Sequence, residues 1–180
     1  MREIALHMAD IAENALAAGA ARIKLSVMID RAADRLTTAV EDNGRGMDAD
    51  TLYRCTDPFM TTRTARRVGL GLALFKLSAE QSGGSFTIKS EQGRGTRAEA
   101  AYIISGIDRA PLGSIADTMA ALIAANPETD FTLEYAADGK AFAFATDTIP
   151  YNDRTAAFAA AAKKEIQQRI DEINGGAEPI

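Results

Sequence analysis

The stretch VEDNGRGMD, residues 40–48, places a carboxylate beside two residues that carry no side chain. The carboxylate of Asp42 can accept a hydrogen bond from an exocyclic amine, which adenine presents where guanine presents an acceptor. Gly44 and Gly46 leave the backbone bare, so a flat base can approach it closely. Asn-Gly is also common in tight turns, and the stretch taken alone favours a turn over a ligand site.

A second group of candidate residues falls on the first segment of the chain. Apolar residues recur there every three or four positions, which predicts an amphipathic helix over residues 2–18 ended by Gly19. Asn14 lies inside this helix. Asparagine has a poor intrinsic helix propensity, so its presence there needs an explanation, such as a role in a site. Asp10 is four residues earlier and shares its face. A solvent-exposed asparagine is the alternative for Asn14 alone.

A third group is glycine-rich. Gly69 and Gly71 precede a helical pattern that runs on to Gly83 and Gly84. The first amides of a helix have no internal partners, and together with the helix dipole they favour phosphate oxygens. Taken alone, this glycine pair is equally compatible with an ordinary loop.

The elements that must position these residues follow from the hydrophobic pattern. After the first helix, ARIKLSVMI and the run that ends at Val40 alternate, which predicts an antiparallel hairpin leading directly into Asp42. SFTIKSEQGRGTRAEAAYII predicts two more strands, joined by a loop at Gly93 and Gly95. Helices segregated against a mixed or antiparallel sheet indicate an α+β fold, a two-layer α/β sandwich.

The residue pattern changes near residues 105–114, and we expect a boundary there between domains 1–104 and 105–180. The second part predicts a helix over Ile115 to Ala125, two short strands around Asp138-Gly139, and an alanine-rich helix over Arg154 to Ile173. A segment of about seventy residues forms a core of only marginal stability by itself. We therefore expect this small α/β extension to pack on the first domain or to bind a partner.

Composition excludes several classes of protein. A net charge of −5 argues against a broad basic face for nucleic acid, since phosphate contacts supply most of that affinity. The single cysteine rules out an internal disulfide framework. No segment approaches the roughly 20 apolar residues that span a bilayer. We therefore expect a soluble, cytoplasmic protein that binds neither nucleic acid nor membrane.

Five stretches in order and spacing resemble the nucleotide-binding Bergerat fold of DNA gyrase, heat-shock chaperones, histidine kinases and mismatch-repair ATPases. They are HMADIAENALAAGA, VEDNGRGMD, TDPFMTTR, RRVGLGLALFKLSAEQSGG and SEQGRGT, within residues 4–104. The stretches from DPFMTTR onward resemble bacterial histidine kinases and anti-sigma-factor serine kinases. The first helix is more similar to that of the mismatch-repair ATPases.

The resemblance assigns roles to matching positions. It implies ATP and Mg²⁺ as ligands, with the base held by Asp42, Gly44 and Gly46 and the metal by an oxygen of Asn14. Met47, next in the motif, is implied to be a further nucleotide-binding residue. Phosphates are implied to lie at Gly69, Leu70, Gly71 and Leu72 and near Thr96. MTTRTARR, residues 60–67, is implied to be a lid in which Thr62 or Arg63 contacts phosphate. A solvated loop is the alternative reading of that basic segment, and an ordinary strand residue is the alternative for Thr96.

The sequence also departs from the family pattern. One helical turn before the asparagine, the family usually has a glutamate or a polar residue, and this chain has Asp10, which is one methylene shorter than glutamate. An acid at this position orients the attacking water in hydrolysing relatives, so we take Asp10 as the candidate catalytic residue ahead of Glu13, which is adjacent to Asn14. Ala17 stands where histidine kinases commonly have a basic residue. The usual first strand has no counterpart ahead of the first helix, and we expect the phosphoacceptor hairpin of a histidine kinase to be lacking.

Three functions stay open at this point. The protein is a kinase that acts on a separate partner, an ATPase clamp that couples lid closure to dimerisation, or a sensor that binds ATP or ADP and does no chemistry. The favoured interpretation is an Mg-ATP-binding regulatory protein that acts as ATPase or protein kinase. Residues 105–180 are the expected site of partner binding, and a homodimer is left open.

Overall fold

The described residues of this computed structural model are 3–55, 70–175 and 180. They contain helices α1 (Ile4–Ala17), α2 (Ala49–Arg54), α3 (Gly71–Gln81), α4 (Ile115–Ala125) and α5 (Ala156–Asn174). The strands are β1 (Arg22–Asp30), β2 (Arg35–Asp42), β3 (Ser85–Glu91), β4 (Gly95–Ile103), β5 (Asp130–Ala137) and β6 (Lys140–Ala145). A short 3₁₀ turn, Tyr151–Asp153, precedes α5.

The strands form one six-stranded sheet in the order β3-β4-β2-β1-β5-β6. All neighbouring pairs are antiparallel except β1 and β5, which run parallel. Alternate residues of the central strands are buried against the helices, as expected when one face of a sheet is covered. The predicted two-layer α/β sandwich is confirmed.

The sheet continues across the boundary expected between residues 104 and 105. β5 pairs along β1 from Arg22↔Asp130 to Ile29↔Ala137, on the side of β1 that the first hairpin leaves open. The apolar core also runs across this boundary, because residues of α4, α5 and β5 belong to the same buried cluster as those of α1 and β1. The division into domains 1–104 and 105–180 remains a prediction.

Most predicted elements match the observed ones within a few residues. The one clear difference is the short helix α2, just after the glycine loop, where the sequence predicted no helix. Asp48 caps α2 by accepting a hydrogen bond from the Thr51 amide at 2.7 Å. None of the six residues of α2 is fully buried, so the segment has no apolar period that would predict a helix.

Arg154, in the turn before α5, bonds this turn to strands β5 and β6 of the sheet. Its side chain is buried and donates hydrogen bonds to the carbonyl oxygens of Pro127, Thr129, Thr146 and Ile149. The guanidinium also bonds Asp130 Oδ1 at 2.6 Å and lies 4.5 Å from the centre of the Tyr151 ring. One side chain thus holds together the start of β5, the end of β6 and the turn before α5.

Among the described residues, no helix combines the length and the apolar character that crossing a bilayer requires.

We predict that Arg154→Met lowers the free energy of unfolding by about 3–5 kcal/mol, because it leaves buried carbonyls and a carboxylate without their donor. Arg35→Met, at an exposed strand position, is the matched control and should cost under about 1 kcal/mol. Urea unfolding followed by circular dichroism measures both. Equal losses of stability in the two variants would contradict the proposed role of Arg154 in holding these segments together.

Candidate functional site

A cavity of about 500 Å³ lies between the second half of α1, the loop after β2 and the turn between β3 and β4. Its volume is typical of small-molecule sites. Several side chains of the wall are apolar, and a few polar groups converge on it. The lining comprises Ile11, Asn14, Ala15, Ala17, Ala18, Asp42, Arg45, Gly46, Met47, Asp48, Thr51, Leu72, Gln92, Gly93 and Thr96.

Asp42 is half-buried in this wall, at the end of β2. Its Oδ1 accepts a hydrogen bond from the Gly44 amide at 2.8 Å, and the Thr96 amide also donates to the carboxylate. Burial raises the pKa of Asp42 above its ordinary value of 3.8, against the lowering effect of these two amides. A partly desolvated carboxylate acceptor of this kind discriminates strongly between ligands that do and do not offer it a donor.

The loop that follows Asp42 touches the turn between β3 and β4 through its backbone. Gly46 has a φ of 63°, and a Cβ atom built on it would lie 2.0 Å from the carbonyl oxygen of Glu91. Gly95 has a φ of 101°, and its Cβ would lie 1.9 Å from the carbonyl oxygen of Asp42. Glycine is therefore required at both positions by the protein's own backbone packing, whether or not a ligand is present.

Asn43 fixes the other side of the same loop. Its Oδ1 accepts hydrogen bonds from the amides of Ala21 and Arg22, at 3.0 and 2.8 Å. The Arg45 amide donates to the carbonyl oxygen of Ala18 at 3.1 Å. The loop is thus held against the end of α1 and the start of β1, which sets the position of Asp42.

Ser90 is a site residue that the sequence analysis missed. Its Oγ accepts a hydrogen bond from the Met47 amide at 2.8 Å, donates to the Gly95 carbonyl at 3.0 Å and lies 2.8 Å from Thr96 Oγ1. It therefore links the two turns that border the cavity. A serine in a strand carries no special signal, although its place directly before the EQGRGT turn could have drawn attention to it.

The opposite end of the cavity is formed by α1 and the start of α3. A Cβ atom on Gly71 would lie 3.1 Å from Asp10 Cβ and 3.6 Å from Asn14 Nδ2. The glycine thus lets the first turn of α3 approach α1 closely. The N-cap residue of α3, Leu70, makes no side-chain capping hydrogen bond, and the first-turn amides of a helix have no partners within the helix.

The structure brings six predicted site residues to the cavity wall: Asn14, Asp42, Gly46, Met47, Leu72 and Thr96. Asp10, Gly44 and Gly71 are each adjacent in sequence to a residue that lines the cavity, and Leu70 precedes Gly71 as the N-cap of α3. Thr62, Arg63 and Gly69 fall outside the described residues.

The arrangement has two chemically different ends. At one end, a desolvated carboxylate and bare backbone can hold a flat base that presents an amine. At the other, the amide oxygen of Asn14 and the N-terminus of α3 can meet anionic groups and a hard cation. The space between them is partly apolar, which suits a nucleotide.

The two-ended cavity on this α/β sandwich fits a nucleotide-binding domain, and the comparison with known families identifies the class. The model of the histidine kinase-, DNA gyrase B- and HSP90-like ATPase family matches residues 2–103. The chain belongs to this family and contains an ATP-binding, histidine-kinase-like domain.

Its similar proteins include sensor kinases. The chain is 41% identical to the sensor protein kinase FleS of Pseudomonas aeruginosa over 106 residues, which is 59% of this chain and 26% of that protein. It is 40% identical over 65 residues to the sensor kinase CckA of Brucella abortus, covering 36% and 7% of the two chains. With the sensor histidine kinase ZraS of Escherichia coli the identity is 35% over 72 residues, covering 40% and 15%. The match thus spans about a quarter or less of each relative.

We predict that Ser90→Ala weakens ATP binding about fivefold, the equivalent of one lost hydrogen bond of about 1 kcal/mol, because the Met47 amide loses its acceptor. Ser85→Ala makes the same chemical change at an exposed position of the same strand and should leave the affinity unchanged. Calorimetric titration with ATP compares the two variants. An unaltered affinity in Ser90→Ala would remove the proposed positioning role.

The raised pKa of Asp42 predicts a pH-dependent stability. A buried carboxyl with a raised pKa leaves the fold most favoured below the unfolded value near 3.8, and that stability is lost as pH rises through the folded pKa. Asp42→Asn cannot ionise, so its melting temperature relative to the natural protein should increase from pH 4 towards pH 7. Scanning calorimetry across this range tests the sign. A constant difference would show that the carboxyl is not perturbed.

Proposed function

We propose that this chain is an Mg-ATP-binding regulatory protein that passes the γ-phosphoryl group of ATP to a separate protein partner. The observation that carries the proposal is the convergence of Asp42, Thr96, Asn14 and the start of α3 on one cavity. The kinase names of its relatives support the reaction class.

At the base end, the proposal assigns the adenine amine to the Asp42 carboxylate. The Gly44 amide and the Thr96 amide orient that carboxylate, and Gly46 and Met47 border the base. Guanine would place a carbonyl oxygen against the same carboxylate, which leaves both acceptors without a donor. We therefore expect adenine specificity.

At the phosphate end, the donor set suits a cation held jointly by protein and nucleotide. The described residues contain no cluster of three or more His, Cys, Asp or Glu that could hold a metal alone. Asn14 offers one oxygen beside the amides of α3, and phosphate oxygens would complete a Mg²⁺ shell. Mg²⁺ there would neutralise phosphate charge, while Leu70, Gly71 and Leu72 would receive the phosphates. Gly69, Thr62 and Arg63 are proposed to contribute from the glycine-rich segment and the lid.

The phosphoryl acceptor is proposed to lie on another protein. The sequence contains one histidine, His7, and its side chain is buried, with its ring 6.3 Å from that of Phe75. The γ-phosphate must reach a phosphoacceptor, and it cannot reach a side chain in the core of the sandwich. Residues 105–180, beyond the family match, are proposed to supply the surface that recognises the partner.

A second function, ATP hydrolysis, is favoured by one observation. Asp10 lies against Gly71 at the start of α3, one helical turn before Asn14. A carboxylate there can orient or deprotonate a water molecule that attacks the γ-phosphate. Under this alternative, hydrolysis would be lost in Asp10→Asn while ATP binding is kept.

The test follows the label of γ-labelled Mg-ATP, incubated with the protein alone and with lysate of its own cells. We expect transfer to a protein band that depends on this chain and is absent with Asp42→Asn. Acid stability of the labelled band separates phosphoserine from phosphohistidine. Release of free phosphate that is lost in Asp10→Asn would establish the ATPase instead, and binding with neither release nor transfer would make the protein a nucleotide sensor.

We also predict that Asn14→Ala removes the Mg²⁺ dependence of ATP binding. Natural protein should bind ATP at least about tenfold more tightly with Mg²⁺ than with a chelator, a difference of about 1.4 kcal/mol. Glu13→Ala, at the exposed neighbouring position, is the control and should keep that dependence. If calorimetry finds it intact in Asn14→Ala as well, Asn14 is not the metal ligand.

A further inference from the structure

The two edges of the sheet differ in how well they are protected against pairing with other strands. One edge strand, β3, reads SFTIKSE and carries the charged residues Lys89 and Glu91. The other edge strand, β6, reads Ala-Phe-Ala-Phe-Ala from residue 141 to residue 145, with no charge between Lys140 and Thr146. Natural edge strands are usually blunted by charges, prolines or bulges. Apart from Lys140 at its first position, β6 has none of these, which indicates a strand that accepts a partner.

The backbone of β6 shows which groups face outward. The Thr146 amide donates to the Phe131 carbonyl at 3.0 Å, in the same register as the pairing Thr132↔Ala145. Residues of an antiparallel strand alternate between bonding one neighbour and the other. Phe142 and Phe144 therefore bond β5, whereas Ala141, Ala143 and Ala145 direct their amides and carbonyls away from it.

We propose that β6 pairs antiparallel with β6 of a second copy of this chain, about a two-fold axis at Ala143. In this register Ala143 faces Ala143 of the second copy, and Ala141 faces Ala145. Each of the three outward-facing alanines then exchanges backbone hydrogen bonds with a counterpart. A shift by two residues would leave one of them without such a partner.

The sequence of β6 favours a second copy over a foreign strand. Residues 141–145 read the same in both directions, so antiparallel pairing centred on Ala143 sets alanine against alanine and phenylalanine against phenylalanine. Phe142 would lie opposite Phe144 of the second copy in a non-hydrogen-bonded pair, where side chains approach most closely and aromatic pairs are favourable. The interface is self-complementary, as a closed dimer requires.

The surroundings of β6 leave room for the added aromatic side chains. A groove of about 520 Å³ runs between β6 and α5, lined by Ala141, Phe142, Arg169 and Ile173 among others. The Arg169 guanidinium lies 5.7 Å from the centre of the Phe142 ring. A phenylalanine from the second copy would extend this aromatic and cationic contact on the helix side of the sheet.

The pairing would join two sheets into one and keep the two nucleotide cavities apart. β2, which carries Asp42, is three strands from β6. With neighbouring strands roughly 4.8 Å apart, the two copies of β2 would lie about 34 Å from each other. Each cavity is formed within its own chain, so nucleotide binding and dimerisation should be independent.

The first test is the mass of the natural protein by light scattering after size exclusion, at concentrations up to the order of 100 µM because small interfaces are weak. We expect a dimer that becomes a monomer in Ala143→Pro. The Ala143 amide faces away from β5, so proline there should leave the monomer folded, with an unchanged circular dichroism spectrum. A natural protein that stays monomeric, or a proline variant that stays dimeric, overturns the proposal.

A second variant guards against misfolding by proline. Ala143→Lys would place two ammonium groups opposite each other across the axis and should also give a folded monomer. Thr87→Lys, on the exposed edge strand β3, is the matched control and should remain a dimer. Loss of the dimer in Thr87→Lys but not in Ala143→Lys would place the interface at the other edge.

The register is tested by cross-linking in a Cys55→Ala background. In the proposed pairing, the Cα atoms of residue 143 lie about 5.5 Å apart across the axis, whereas those of residue 141 are displaced by four residues, about 13 Å. A short bismaleimide should therefore link Ala143→Cys efficiently and Ala141→Cys poorly. The reverse preference, or equal linking, would contradict this register.

Discussion

The site depends on the contact between two backbone turns. The loop after β2 and the turn between β3 and β4 approach so closely that neither Gly46 nor Gly95 has space for a side chain. Gly95 lies against the carbonyl of Asp42 itself, and the Thr96 amide donates to the Asp42 carboxylate. Ser90 joins the same two turns through the Met47 amide. This contact holds a half-buried carboxylate at the wall of the cavity.

The rest of the fold supports that contact from two sides. α1 receives the loop at its C-terminal end, where Ala18 accepts the Arg45 amide, and its other end packs into the core shared with α4. β5 extends the sheet beyond β1, and Arg154 fastens β5 to the end of β6. The second part of the chain thus completes the layer on which the nucleotide site is built, and it brings the edge strand β6 with it.

Local patterns predicted much of this architecture. The helix over 115–125 was predicted at its observed bounds because its apolar period is regular, and in the structure Ser114 caps it. The parallel pairing of β1 with β5 was not predicted, since residues more than one hundred positions apart leave no periodic signal. α2 was missed because it is short and buries no residue fully.

The site was predictable where residue type and spacing carry chemistry. Asp42, Asn14 and Thr96 were named from motifs, and the structure places all three at one cavity. The same motifs could not show why glycine is needed at position 46. The reason is that a Cβ atom there would collide with the backbone carbonyl oxygen of Glu91. Nor could they identify Ser90 and Asn43, because a strand serine and a turn asparagine are common and become informative only through their partners.

The most direct measurement is a calorimetric titration of Mg-ATP and Mg-GTP into the natural protein and into Asp42→Asn. We predict that the natural protein binds ATP and rejects GTP, because guanine would set an acceptor against a partly desolvated carboxylate. Asp42→Asn should melt at no lower temperature near neutral pH and lose ATP affinity by about tenfold or more, at least 1.4 kcal/mol. Undiminished ATP affinity in the folded variant, or equal binding of GTP by the natural protein, would contradict the account.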